Sequence, residues 1–275
     1  MNHDPQHAEE PSNEELRRVG RRGAIALLGT AGAAALVGAA SLTDPAVGAP
    51  RRPTRTTTTT SGGPSSTTTG ATATTTSGAA GNCTIIPQET AGPYPLDLSG
   101  TDTFYRSNIT EGHPGVPLQL VLSLVNANNG CLPLANARVD VWQCDALGVY
   151  SGYSQPGANT VGQTFCRGIQ LSDSSGVVRF STIYPGWYAG RITHIHFEVF
   201  LNSGLVATSQ LAFPPDVTQA VYAQASPYSS RGQNTSVTSF AADNVFSDGT
   251  QYQLLALSGS VSAGYTGTLT AAIAA

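Results

Sequence analysis

Between residues 118 and 273, apolar positions fall in short runs or alternate with polar ones, and Gly, Pro, Asn and Asp separate the runs. Residues 118–127 are apolar enough for a buried strand. Residues 138–144 alternate, with Val139 and Val141 on one face and Arg138, Asp140 and Trp142 on the other. Residues 169–172 and 177–183 flank Asp173-Ser174-Ser175-Gly176, a turn signal that predicts a hairpin. Segments 192–200, 205–213, 252–257 and 264–273 complete eight predicted strands. None of this keeps a long helical period, and no internal repeat is visible. Eight strands with turn-rich connections predict an all-β fold, a two-sheet β-sandwich with long loops that can form an active site.

The first 81 residues follow different rules. Residues 1–16 are polar and acidic. Arg17, Arg18, Arg21 and Arg22 follow, then an apolar run over 23–40 and the small residues Ala46-Val47-Gly48-Ala49. Basic, then apolar, then small is the order of a secretory signal, here over 1–49, and the paired arginines resemble a twin-arginine leader. An uncleaved membrane anchor is the competing reading, since the run is about long enough to span. Its richness in Ala and Gly favours the cleaved signal. Residues 50–81 are dominated by Thr, Ser, Gly, Ala and Pro, too poor in apolar side chains for a core, and predict a disordered linker. Residues 82–275 remain, 194 in all, the size of one domain.

Charge narrows the function. All 13 basic residues are Arg, and seven precede residue 60. After residue 81, six arginines face eleven acids, net −5, which argues against binding a nucleic-acid backbone. At 11% charged residues the chain is not a coiled coil. Its four cysteines, Cys83, Cys131, Cys144 and Cys166, all lie in the predicted domain. An even number in an exported protein reads as two disulfides. Three pairings are possible and the sequence does not choose among them. The expectation carried forward is Cys83–Cys131 with Cys144–Cys166. A zinc site on these cysteines is weakly supported, because no CxxC pair exists.

Histidine is scarce, so its placement is informative. Of five, three lie after residue 81: His113, His194 and His196. Two of them sit in Thr193-His194-Ile195-His196-Phe197, where residues two apart on a strand share a face. Two imidazoles so placed can hold one metal ion, although an isolated HxH is as readily two surface histidines. Three further segments precede it: Thr90-Ala91-Gly92-Pro93-Tyr94, Val141-Trp142-Gln143-Cys144-Asp145-Ala146-Leu147-Gly148-Val149-Tyr150 and Tyr184-Pro185-Gly186-Trp187-Tyr188-Ala189-Gly190-Arg191. In this order they resemble the intradiol ring-cleavage dioxygenases, the family of protocatechuate and catechol dioxygenases, and within it the secreted single-domain branch. The resemblance covers most of the chain from Cys83 onwards and is densest over 167–197.

The resemblance implies a nonhaem Fe(III) held by Tyr150, Tyr188, His194 and His196. Phenolates are hard anionic donors suited to a ferric ion, whereas two imidazoles alone leave the metal open. It implies two catalytic residues: Arg191, stabilising negative charge that develops on the substrate, and Tyr188, the ligand that leaves and takes up a proton. It implies that Gly92, Pro93, Tyr94, Arg191 and Gln210 contact the substrate. The implied reaction cleaves a catecholic diol with dioxygen between its hydroxylated carbons, giving a cis,cis-muconate-type product outside the cytoplasm. No nicotinamide or flavin is needed, and no Gly-rich dinucleotide loop is present. No stable protein partner is evident. The helical dimerisation segment of the intracellular members has no counterpart where the signal and linker stand, which implies a monomer. Two other readings compete: a non-catalytic cell-surface β-sandwich that binds aromatics, sugars or a partner on a Thr-rich stalk, and a zinc hydrolase built on His113, His194 and His196. The zinc reading leaves the tyrosine segments unexplained. Taken singly, each tyrosine is an ordinary core or rim aromatic, and Arg191 an ordinary partner for a carboxylate such as Asp216. Glu198 shares the histidine face as a solvent-facing carboxylate or a partner behind the site.

Overall fold

The computed structural model describes residues 83–98 and 100–275. The predicted signal and linker, 1–81, lie outside the described residues. Strands form in the order β1 (Pro117–Asn126), β2 (Leu132–Pro133), β3 (Arg138–Trp142), β4 (Ser154–Gln155), β5 (Ala158–Asn159), β6 (Arg167–Leu171), β7 (Val177–Ile183), β8 (His194–Leu201), β9 (Gly204–Ala212), β10 (Ala256–Ser260) and β11 (Gly264–Ile273). The strand β1 is the spine of one sheet. It pairs in parallel with β11 and antiparallel with β7 and β2, and β10 extends β11. A second sheet runs β6-β3-β8-β9 with every neighbour antiparallel. A short β4-β5 ribbon stands apart.

The sheets meet through side chains of period two. Leu118, Leu120, Leu122 and Leu124 of β1, with Val178 and Phe180 of β7, pack in one core with Val139 and Val141 of β3 and Ile195, Phe197 and Val199 of β8. Truncating one such leucine to Ala costs about 2–5 kcal/mol through the cavity left behind. The two-sheet sandwich expected from the alternation is thus present. The pleat has a second consequence. With Ile195 and Phe197 turned inward, His194, His196 and Glu198 face the outside of the second sheet. The register sets Trp142 and Gln210 on either side of His196, and Asp140 beside Glu198. Loops cover this outer face, so that Trp142, His194, His196 and Gln210 are all buried.

Several expectations are corrected. The turn at 173–176 forms, with the Asp173 Oδ1 accepting the Ser175 and Val177 N–H groups at 2.8 and 3.0 Å. The strands it joins are not a hairpin, however: β6 belongs to the second sheet and β7 to the first. The turn is a corner between layers. The strand expected over 252–257 begins later, at Ala256, because Gln253 and Leu254 close a turn onto the Thr250 carbonyl. A helix α1 (Pro215–Gln224) was not expected, nor the short α2 (Tyr228–Arg231). Only Val221 and Tyr222 of α1 are buried, too narrow a stripe to give a readable period.

Cys83 and Cys131 form a disulfide with Cα atoms 5.9 Å apart. The second expected bridge is absent: Cys144 and Cys166 are free and buried. They flank Gln143, whose N–H donates to the Cys166 carbonyl at 3.1 Å. Their side chains part company there, Cys144 packing with Trp142 and Tyr150 and Cys166 joining the inter-sheet core. Burial pushes both thiols up, Cys166 to about 12, so neither presents a reactive thiolate.

Candidate metal centre

Four side-chain atoms from three segments meet above the outer face of the second sheet. The Nε2 atoms of His194 and His196 are 3.1 Å apart. Tyr150 Oη lies 3.3 Å and Tyr188 Oη 3.2 Å from His194 Nε2. Ligands about 2.0–2.2 Å from a first-row metal ion lie roughly 3 Å from one another, so these atoms have the spacing of one coordination sphere. His194 Nδ1 is 2.6 Å from the Ile192 carbonyl. A carbonyl only accepts, so Nδ1 carries the proton and Nε2 presents its lone pair to the centre. Both phenol hydroxyls therefore compete for one lone pair, whereas a cation at the middle would satisfy all four atoms. The His196 ring lies parallel to Trp142, with centroids 5.0 Å apart and planes 1° from parallel.

The tyrosines arrive on loops, and hydrogen bonds rather than pleat place them. After β3, the Asp145 Oδ1 accepts the N–H groups of Leu147 and Val149, each at 2.9 Å, folding the chain back towards the sheet. Tyr150 follows, its backbone gripped by Gln155 at both N–H and carbonyl and by the Thr160 hydroxyl. The Asp145 carbonyl also accepts the Gly186 N–H at 2.9 Å, so the same residue ties down the loop that carries Tyr188. A Cβ on Gly186 would lie 2.5 Å from the Ala146 carbonyl oxygen, so glycine is required where the two loops cross. Gly92, at φ +72°, brings a third loop against the site: a Cβ there would lie 2.9 Å from His196 Cε1. Two residues on, the Tyr94 ring stacks on Tyr150 at 4.7 Å.

Burial sets the protonation states. It pushes the Tyr150 phenol well above the tyrosine range and Tyr188 up to about 12, where the Arg191 charge opposes the rise. Burial, reinforced by Arg191, takes His194 down to about 3. Burial, with His194 alongside, takes His196 well below its usual range. The Thr90 carbonyl opposes that shift but makes no well-aligned bond to His196 Nδ1, which has no hydrogen-bond partner among the described residues. Left to the protein's own groups, these four side chains are two phenols and two neutral imidazoles. A metal that binds here must displace the phenol protons. Two oxygen anions with two imidazoles suit a hard ion of high charge. Among the described residues no three His, Cys, Asp or Glu cluster as a metal site, so a metal here depends on the phenols. His113 instead stacks on Phe165 at 3.7 Å and lies 3.5 Å from Asp145, which removes it from the zinc reading.

A family model described as Dioxygenase (Dioxygenase_C) matches residues 91–254, a stretch that holds Tyr150, Tyr188, His194 and His196. The chain belongs to the intradiol ring-cleavage dioxygenase family. This family member is 32% identical over 143 residues to the protocatechuate 3,4-dioxygenase beta chain of Burkholderia cepacia, an alignment covering 46% of this chain and 55% of that one. It therefore spans about half the length of that curated relative. The intradiol ring-cleavage dioxygenase of Tetranychus urticae has a similar structure, with a TM-score of 0.63 and 30% identity over 70% of this chain and 95% of that chain. A further dioxygenase crystal structure gives a TM-score of 0.62 at 29% identity, over 70% and 94% of the two chains.

In this family member, Arg191 lies buried beside Tyr188, and its Nη2 donates to Gln210 Oε1 at 2.7 Å. Gln210 in turn donates to the Thr90 carbonyl at 2.8 Å, pinning the segment of Gly92, Pro93 and Tyr94 to β9. The carboxylate paired with Arg191 is Asp243, not Asp216. Glu198 accepts a 3.4 Å bond from Thr208 and makes no hydrogen bond to either histidine among the described residues. Three contributors escaped sequence reasoning: Trp142 as the platform under His196, Asp145 as the tie between loops, and Asp243. An Asp before Ala-Leu-Gly is a readable turn signal. The Trp142 contact follows from strand register, and nothing in the chain marks Asp243.

Proposed function

We propose that this protein is a ferric, nonhaem intradiol dioxygenase of catecholic diols, with Tyr150, Tyr188, His194 and His196 as metal ligands. The observation that carries the reading is the convergence of two phenols on one imidazole lone pair, with a second imidazole alongside. A ferric ion held there supplies Lewis acidity and a template for a chelating diol. The chain's own residues do the rest. Tyr150 is fully buried and Tyr188 half-buried, so Tyr188 is the phenol free to swing aside. With a metal bound and its own proton already displaced, the Tyr188 Oη, made more basic by burial, would take up a proton of the incoming diol. Tyr150, gripped through its backbone, stays in place. Arg191 supplies a fixed positive charge where water is excluded and charge counts for most. Gly92, Pro93, Tyr94 and Gln210 wall the substrate side.

The expected products are cis,cis-muconate-type diacids that carry both atoms of dioxygen. The basic–apolar–small order over 1–49 and the Thr-rich linker over 50–81 support export of a monomer on a tether as part of the same proposal. Appearance of a shortened chain in culture medium tests the export. The activity is tested by giving the iron-loaded protein catechol in an oxygen electrode. One dioxygen consumed per muconate formed is expected. Binding of catechol with no oxygen uptake would instead leave the stalked binding module standing.

A further inference from the structure

We propose that Asp243 is the positioning residue for Arg191, fixing the direction in which its guanidinium faces the reacting centre. The kinetic effect rests on the proposed intradiol reaction, and the pairing rests on geometry alone. Arg191 stands between Tyr188 and His194, and its own N–H donates to the Tyr188 carbonyl at 3.4 Å. Its side chain is buried, with an exposure of 8% for the residue against 1% for Asp243. Arg191 Nε donates to Asp243 Oδ2 at 3.0 Å, with Oδ1 at 3.3 Å. Gln210 takes the Nη2 edge, and the Phe246 ring lies 5.8 Å from Cζ. The fork is therefore held on two edges by groups from different parts of the chain.

Asp243 is itself held by bonds other than those to the guanidinium. Its Oδ2 accepts the Ile192 N–H at 2.8 Å, and its Oδ1 accepts the N–H groups of Val245 and Phe246 at 2.9 and 3.2 Å. Burial alone would raise this carboxyl, yet these bonds and the guanidinium hold it below the usual range. A carboxylate clamped by three backbone donors cannot follow a moving arginine, so the arginine follows it. Burying a guanidinium without such a partner is unfavourable, and an unpaired Arg191 would turn out to water. The pair is neutral overall, so its effect on the substrate is directional. Asp243 sits 52 residues along the chain from Arg191, on the loop that continues from the Phe240–Ala242 turn. That loop carries none of the metal ligands proposed above.

The test uses the full iron-loaded chain with Asp243→Asn, Arg191→Met and the double variant. Asp243→Asn should lower kcat by about ten- to a hundred-fold, as a misdirected catalytic group does, with KM changed less than about three-fold. In the Arg191→Met background the same change should cost nothing further. An equal loss in both backgrounds would show that Asp243 serves only folding and would overturn the proposal, as would an unchanged kcat. A second readout, taken on the full chain before iron loading, needs no turnover: the Arg191 Nε–H nitrogen-15 resonance, assigned by its loss in Arg191→Met, should be protected from exchange in the wild type and exposed in Asp243→Leu, which has no acceptor. Persistent protection would overturn the pairing. If the wild type turns over no catechol, the proposed function fails and this resonance alone decides the pairing. Should Asp243→Asn not fold, Arg191→Lys leaves the backbone bonds of Asp243 in place. A compact ammonium cannot reproduce the fork, so a similar loss of kcat is expected there, and full activity would overturn the proposal.

Discussion

The strand-borne and loop-borne halves of the proposed metal centre are built by different means. His194 and His196 are successive outward positions of β8, spaced by the pleat and aimed by Ile195 and Phe197, which anchor the other face in the core. Tyr150 and Tyr188 have no such frame. They depend on Asp145, which folds one loop with its carboxylate and ties the other with its carbonyl. The strand half is uniformly buried, while the loop half is graded from a buried Tyr150 to a half-buried Tyr188. In the proposed coordination sphere the sheet is thus the fixed edge, and the loops are the edge that a substrate would displace.

Removing one ligand from each half gives the sharpest contrast. His196→Leu should release iron, with a fall in affinity beyond the roughly 10–100-fold that an outer partner contributes, read by metal analysis after dialysis. Tyr188→Phe should retain iron yet show no ring cleavage. Equal loss of iron from both variants would break the distinction. A smaller effect is expected from Asp145→Ala, which strands two backbone N–H groups at a loop turn. Chemical denaturation should show about 1–3 kcal/mol lost, with turnover reduced more than iron content. Gly92→Ala comes next. Its left-handed φ costs roughly 1–2 kcal/mol for a residue with a Cβ, and that Cβ presses on the His196 ring. Its KM for catechol should rise while Tyr188 keeps its role, and an unchanged KM would remove the 90–94 segment from the substrate wall.

The smallest effect lies farther along the sheet face. Burial raises Asp140 from 3.8 to about 6 despite its pairing with Arg138. The folded state then holds this proton more tightly than the unfolded chain. The stability it contributes is present below pH 3.8 and lost as the pH rises through about 6. The Asp140 carboxyl carbon, followed by NMR, should titrate near 6. A midpoint at or below the ordinary 3.8 would contradict the desolvation.

The same contrast governs what the sequence discloses. The HxH pair is legible because period two is a local rule, and the core leucines of β1 are legible for the same reason. Tyr150 and Tyr188 are not visible to any periodicity, since a loop tyrosine looks like a rim aromatic, and they stood out only through resemblance to a family. The layer change after β6 is hidden because a tight turn has one local signature whether its strands pair or part. The missing Cys144–Cys166 bridge is hidden because chain proximity does not reveal which way two side chains turn. Helix α1 buries too little to show a period, and Asp243 meets Arg191 through tertiary packing alone.

The most direct measurement is a visible absorption spectrum of the purified, iron-loaded protein, repeated after catechol is added without oxygen. A red-brown tyrosinate-to-Fe(III) charge-transfer band that shifts on addition of catechol is the predicted result. A protein that binds iron by metal analysis yet stays colourless, before and after catechol, would contradict ligation by Tyr150 and Tyr188.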